Sequence, residues 1–161
     1  MPRLIKVDKI VDDAWQILDK GFSGKLEQSQ VFVPLNYLLE NPGCIDASEV
    51  GVWLDSDEEP EALAPYLDKL PAIAINFPKF VDGRGYSYAR ILRDRLNFEG
   101  EIRAIGDILH DQLFYLKRCG FDAYAVREDK DIEVAQEGLS DFTESYQAAS
   151  FMNQPLFRRR G

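Results

Sequence analysis

A chain of 161 residues, 45% hydrophobic, is long enough to bury a sizeable core as one domain. Its formal net charge of −9 argues against non-specific nucleic-acid binding, and no run of about 18 apolar residues is present to span a membrane. Cys44 and Cys119 are the only cysteines, too few for a disulfide framework or an iron–sulfur cluster. Charges interrupt Met1–Asp8 too early for a signal peptide, so the expected location is the cytoplasm.

In chain order, Leu4-Ile5-Lys6-Val7 and Lys9-Ile10-Val11 flank Asp8 as a short hairpin, and residues 1–25 read as an appendage. A polar connector runs from Ser23 to Ser29. Apolar runs then alternate with helical stripes. Strands are expected near 31–33, 50–54, 72–77, 102–106 and 123–127, each followed by a helix. The helix after the second strand begins near Pro60 and turns Leu63, Tyr66, Leu67 and Leu70 inward. The next buries Tyr88, Ile91, Leu92 and Leu96, with Arg90, Arg93 and Asp94 outward or sideways. Asp107 suits the N-cap of a helix with Leu109, Leu113 and Leu116 inside, and Gly120 its C-terminal cap. Ile132, Ala135, Leu139, Phe142 and Tyr146 make a last stripe, and residues 153–161 form a tail.

Strands separated by helices imply β-α-β units and a parallel sheet. The expected fold is α/β: one domain over 1–161, with an open, mostly parallel five-stranded sheet flanked by helices. It is flavodoxin-like or a partial β/α barrel, with a short N-terminal hairpin. In either case a ligand site belongs at the carboxyl ends of the strands. That selects the loops at Asp55-Ser56, 78–87, Gly106-Asp107 and Arg127-Glu128.

The loop and helix start at 78–87 carry the most chemistry. Gly83 and Gly85 permit close backbone approach, Arg84 offers a fork, and Tyr86 and Ser87 offer hydroxyls. Arg90 lies one turn further on. Gly83, Arg84, Tyr86, Ser87 and Arg90 are therefore the candidate anion-binding residues, for sulfate, sulfite, phosphate or a carboxylate. The same residues also fit a plain strand-to-helix turn with solvated arginines. Residues 71–95 hold five basic side chains against two acids, whereas 46–70 hold eight acids against Lys69. Pairing between these two segments is an equal explanation for the basic cluster. Asp107 and Asp111 invite an acid/base reading, Asp107 as the candidate at a strand end; their plainer roles are an N-cap for Asp107 and a pairing on the helix surface for Asp111. His110 reads as solvated on its helix, and no metal-ligand spacing is present. The absence of a third glycine at position 88, occupied by Tyr88, speaks against a dinucleotide site, and no cofactor is predicted.

The stretch Phe77-Pro78-Lys79-Phe80-Val81-Asp82-Gly83-Arg84-Gly85-Tyr86-Ser87-Tyr88-Ala89-Arg90 resembles a bacterial domain-of-unknown-function family labelled as an oxidoreductase of sulfite reduction. So do Gly100 to Asp107, Asp111-Gln112-Leu113, Arg118 to Ala123 and the ending Gln154 to Arg160. Asn97, where the family often has glycine, and His110 depart from its pattern. The resemblance implies a pathway, assimilatory sulfite reduction and cysteine biosynthesis, and no catalytic residues. The expected role is an accessory protein that binds an oxyanion or a partner, either sulfite reductase or another sulfate-assimilation enzyme. The alternatives are an enzyme acting on a small anionic sulfur or phosphate metabolite, or an electron-transfer partner of the reductase. The residues themselves lend nothing to the oxidoreductase label, and the oligomeric state stays open.

Overall fold

Val7 and Asn97 turn the backbone at positive φ (61° and 60°) without the help of a glycine; the first closes a hairpin and the second ends a helix. The computed structural model describes residues 3–7, 9–26, 28–46, 49–77, 84–106, 108, 112–125, 132 and 136. In chain order the elements are β1 (Arg3–Lys6), β2 (Lys9–Asp12), β3 (Gln16–Ile17), β4 (Val31–Pro34) and α1 (Leu35–Glu40). They continue with β5 (Val50–Leu54), a 3-10 segment Pro60–Lys69, β6 (Ala72–Phe77) and α2 (Arg84–Arg90). A π turn Ile91–Arg95, β7 (Glu101–Gly106), α3 (Leu113–Cys119) and β8 (Ala123–Tyr124) complete the described elements.

All eight strands form one sheet in the order β2-β1-β8-β7-β6-β5-β4-β3. From β3 to β8 every neighbour is parallel and next in the chain. β1 joins β8 antiparallel, with Ile5 opposite Tyr124, and β2 pairs antiparallel with β1. Two expectations are corrected here. A flavodoxin-like sheet reverses its winding and places helices on both faces. In this sheet every step goes the same way, so right-handed crossovers gather the helices on one face. The hairpin is also no appendage, because β1 extends the sheet and Ile5 is fully buried. Five strands therefore become eight, in a mixed sheet.

The sheet is curled. Laid flat, eight strands would hold their edges about 33 Å apart. Yet the edge strands β2 and β3 are joined by residues 13–15 alone, which bridge roughly 14 Å at full stretch.

Alternation along the strands builds two apolar layers. On the helix side Val31, Val52, Ile73, Ile75, Ile102 and Tyr124 pack with Leu38, Leu63, Leu92, Leu113 and Leu116. On the other, inner side a smaller cluster joins Phe32, Trp53, Ala72, Ala74 and Ile105, with Trp15 packed against it. Burial on both faces explains why these strands read as nearly continuous apolar runs. Small residues on the inner side make room for its large ones: a Cβ on Gly51 would lie 2.9 Å from the Phe32 ring and 2.7 Å from the Ala72 carbonyl oxygen.

The segment after Pro60 departs from the expected α-helix. Pro65 lies inside it. Its ring takes away an amide donor and clashes with the carbonyl four residues back, so a tighter 3-10 winding takes over. Leu63 and Leu70 are still buried, while Tyr66 and Leu67 are half-buried. Of the last stripe only Ile132 is described; it is helical, as is nearby Gln136. Ala135, Leu139, Phe142, Tyr146, the Arg127-Glu128 loop and the tail 153–161 lie outside the described residues.

Candidate functional site

Three adjacent strands, β5, β6 and β7, bring Asp55, Asn76 and Gly106 to the carboxyl edge of the parallel sheet. Asn76 is the one polar side chain in the run Ala72–Phe77, and its Nδ2 donates to Asp55 Oδ1 at 3.1 Å. The Ser56 amide donates to the same oxygen at 2.8 Å. Lys20 reaches in from the N-terminal part of the chain, with Nζ 3.0 Å from Asp55 Oδ2, 3.4 Å from Asp57 and 4.0 Å from Glu58. Burial pushes the Asp55 carboxyl up, but hydrogen bonds from Lys20, Asn76 and the Ser56 amide outweigh it and hold its pKa below the ordinary value. The Asp55 hydrogen bond in turn raises the Lys20 pKa.

Gly106 ends β7 at φ 96°. A Cβ there would lie 2.5 Å from both Asn76 Oδ1 and the Phe77 carbonyl oxygen. Only glycine suits this left-handed, crowded position.

Arg84 is the first residue of α2 and is exposed, as is Ser87. Tyr86 is half-buried. Its hydroxyl accepts from Gln112 Nε2 at 2.8 Å, and its ring lies 5.2 Å from Phe77 and 4.8 Å from Tyr115. Tyr88, buried, donates its hydroxyl to the Ser56 carbonyl at 2.7 Å and ties α2 to the loop after β5. Arg84, Tyr86 and Ser87 all belong to the start of α2, with Arg84 and Ser87 exposed and Tyr86 turned toward Gln112, Phe77 and Tyr115. Arg90 engages α3 instead: a hydrogen bond to the Cys119 sulfur, with Tyr115 also close, raises its pKa. Gly83 and Asp107, with Asp82, His110 and Asp111, lie outside the described residues.

Of the rest of the basic cluster, Lys79 lies outside the described residues, and Arg93 and Arg95 go to different partners. Arg93, expected outward or sideways, turns back into the fold. It donates to the carbonyls of Gly120 (2.9 Å), Phe98 (2.9 Å) and Gly100 (2.7 Å). Arg95 pairs with Glu61 of the acidic segment at 3.4 Å. Cys44 is half-buried and Cys119 buried; both are free thiols.

Lys20 and Asn76 escaped the sequence reading. Asn76 had a visible signal, a polar residue inside a strand buried on both faces. Lys20 had none, since its partner is 35 residues away. Among the described residues no group of three or more His, Cys, Asp or Glu is placed to hold a metal ion. Among them, too, no helix is long and apolar enough to cross a membrane.

Fold and edge together define an α/β protein with a curled, open, mixed sheet and a polar carboxyl edge. The chain belongs to the bacterial protein family of unknown function DUF934, whose model matches residues 51–157. In a comparison with curated proteins nothing matches the chain.

Proposed function

We propose that the protein is an accessory component of assimilatory sulfite reduction that binds a small oxyanion at the carboxyl edge of its sheet. Sulfite, sulfate and phosphate share the required chemistry. The pathway rests on the resemblance described above, with sulfite reductase or another sulfate-assimilation enzyme as the partner. The anion rests on one observation. α2 opens at the carboxyl edge of β6 with exposed Arg84, has no acid in its first turn, and carries exposed Ser87 and a half-buried Tyr86 whose hydroxyl is held by Gln112. A guanidinium fork and hydroxyl donors recognise a tetrahedral or pyramidal oxyanion without any further cofactor.

The test is calorimetric titration of the full chain with each of the three anions at low salt. Arg84→Ala removes a charge-assisted contact, about 1.5–3 kcal/mol or roughly ten- to a hundredfold in affinity. Arg95→Ala is the control, since Arg95 pairs with Glu61 on the surface, and it should leave binding unchanged. No heat with any anion, or equal binding by wild type and Arg84→Ala, removes the proposal.

A further inference from the structure

The segment from Asp13 to Lys20 leaves one edge of the curled sheet, meets its inner face and ends at the carboxyl edge. Beside the pairing of β3 with β4, four contacts made by side chains hold it. Asp13 Oδ1 accepts from Arg103 Nη1 at 2.9 Å and also from the Trp15 amide at 3.1 Å. The Trp15 ring lies 4.9 Å from Phe32. The Leu18 carbonyl accepts from Trp53 Nε1 at 2.8 Å. Lys20 closes on Asp55 at 3.0 Å. Between these anchors the segment offers the sheet only β3, whose two residues are both exposed.

Each charged anchor on the sheet has a second partner that does not belong to this segment. Arg103, 4% exposed and the only buried charged residue among those described, keeps Glu101 at 2.8 Å and the Phe32 ring at 5.0 Å. Asp55 keeps Asn76 and the Ser56 amide. Departure of the segment would leave Arg103 its carboxylate and Asp55 two hydrogen-bond donors, so the penalty that normally fixes such contacts in place is reduced.

We infer that Asp13–Lys20 is a strap that releases and closes as one unit while β4 to β8 stay assembled. Closed, it covers Phe32 and Trp53 and seats Lys20 on Asp55. Released, it uncovers the inner face and leaves the Asp55 carboxylate and Asn76 open at the carboxyl edge. The strap is thus a gate on that edge, and it does not depend on which ligand the edge takes.

Native-state hydrogen exchange on the full chain tests this. The Gln16 and Leu18 amides, bonded to the Gln30 and Phe32 carbonyls at 3.0 and 2.9 Å, report the strap; the amides of β6 report the sheet. The two strap amides should exchange together and faster than β6. Lys20→Gln, altered only at the carboxyl-edge end, should speed both by roughly two- to fivefold, the equivalent of one lost exposed ion pair. The β6 amides should not change. Asp13→Asn should give the same pattern from the opposite end. Strap amides that exchange in step with β6, or a Lys20→Gln effect that stops short of Gln16, would overturn the inference. The Lys20 side chain is 43% exposed, so this variant carries the test even where Asp13→Asn does not fold.

Discussion

Replacing Arg93 by Met should be among the most destabilising single changes at a charged side chain of this protein. Its Nε and Nη1 donate to three carbonyls, those of Gly120, Phe98 and Gly100, and Nη2 stands 3.6 Å from Asp122. One side chain therefore joins the π turn after α2, the turn into β7 and the cap of α3. A hydrogen bond from a charged donor is worth about 1.5–3 kcal/mol. Three on one guanidinium do not add, and the half-exposed carbonyls of Gly100 and Gly120 can turn to water, so the expected loss is about 3–4 kcal/mol. In urea unfolding with a slope of about 2 kcal/mol per molar, the midpoint should fall by roughly 1.5–2 M. Arg93→Lys should recover less than half of this, because one ammonium cannot span three carbonyls. A midpoint shift below about 0.5 M for Arg93→Met, at unchanged slope, would refute the reasoning.

Gly106→Ala combines a left-handed backbone with contacts of 2.5 Å to Asn76 Oδ1 and the Phe77 carbonyl. It should cost about 2–4 kcal/mol, seen as a melting point lower by roughly 5–12 °C, and a loss under about 1 kcal/mol would show that the β7 end relaxes freely. The Lys20–Asp55 contact also sets a pH window for the strap. The folded Asp55 pKa is lowered, so its contribution is present above the ordinary carboxylate pKa and is lost as pH falls through the folded value. The folded Lys20 pKa is raised, so its contribution is full below the ordinary amine pKa and is lost as pH rises through the folded value. Because the only two tryptophans are Trp15 and Trp53, their fluorescence should hold steady across neutral pH and change at both extremes. In Lys20→Gln the alkaline change should disappear; an unaltered alkaline change would place its origin elsewhere.

Short apolar runs between helical stripes made the parallel strands legible: β5 and β6 stand where the sequence puts them, at Val50–Leu54 and Ala72–Phe77. Their neighbours were not legible, because periodicity says which face a residue takes and nothing about which strand lies beside it. The hairpin could be read from two short apolar runs flanking Asp8, but its docking rests on the distant pair Ile5 and Tyr124. β3 is two residues long, too short for any period. Pro65 was in plain view, yet the leucine spacing around it imitates an α-helix. Arg93 looked like a surface residue because its carbonyl partners carry no signal in sequence. The sequence places Tyr86 and Ser87 after a strand, and they stand in the first turns of α2, whereas Lys20 came from a segment with no visible tie to Asp55.

The winding of the sheet has a consequence for how the chain is made. β4 to β8 each pair with the strand synthesised just before, so this part of the sheet can grow by accretion as the polypeptide emerges. The N-terminal residues cannot follow that schedule. β1 needs β8 at Ala123–Tyr124, and Asp13 needs Arg103, 90 residues later. β1, synthesised before β3 to β8, is thus the last to dock, and Ile5 stays unburied until nearly the whole described chain is made. A nascent chain halted before β8 would hold a parallel sheet that has grown but not closed, with β1 still undocked.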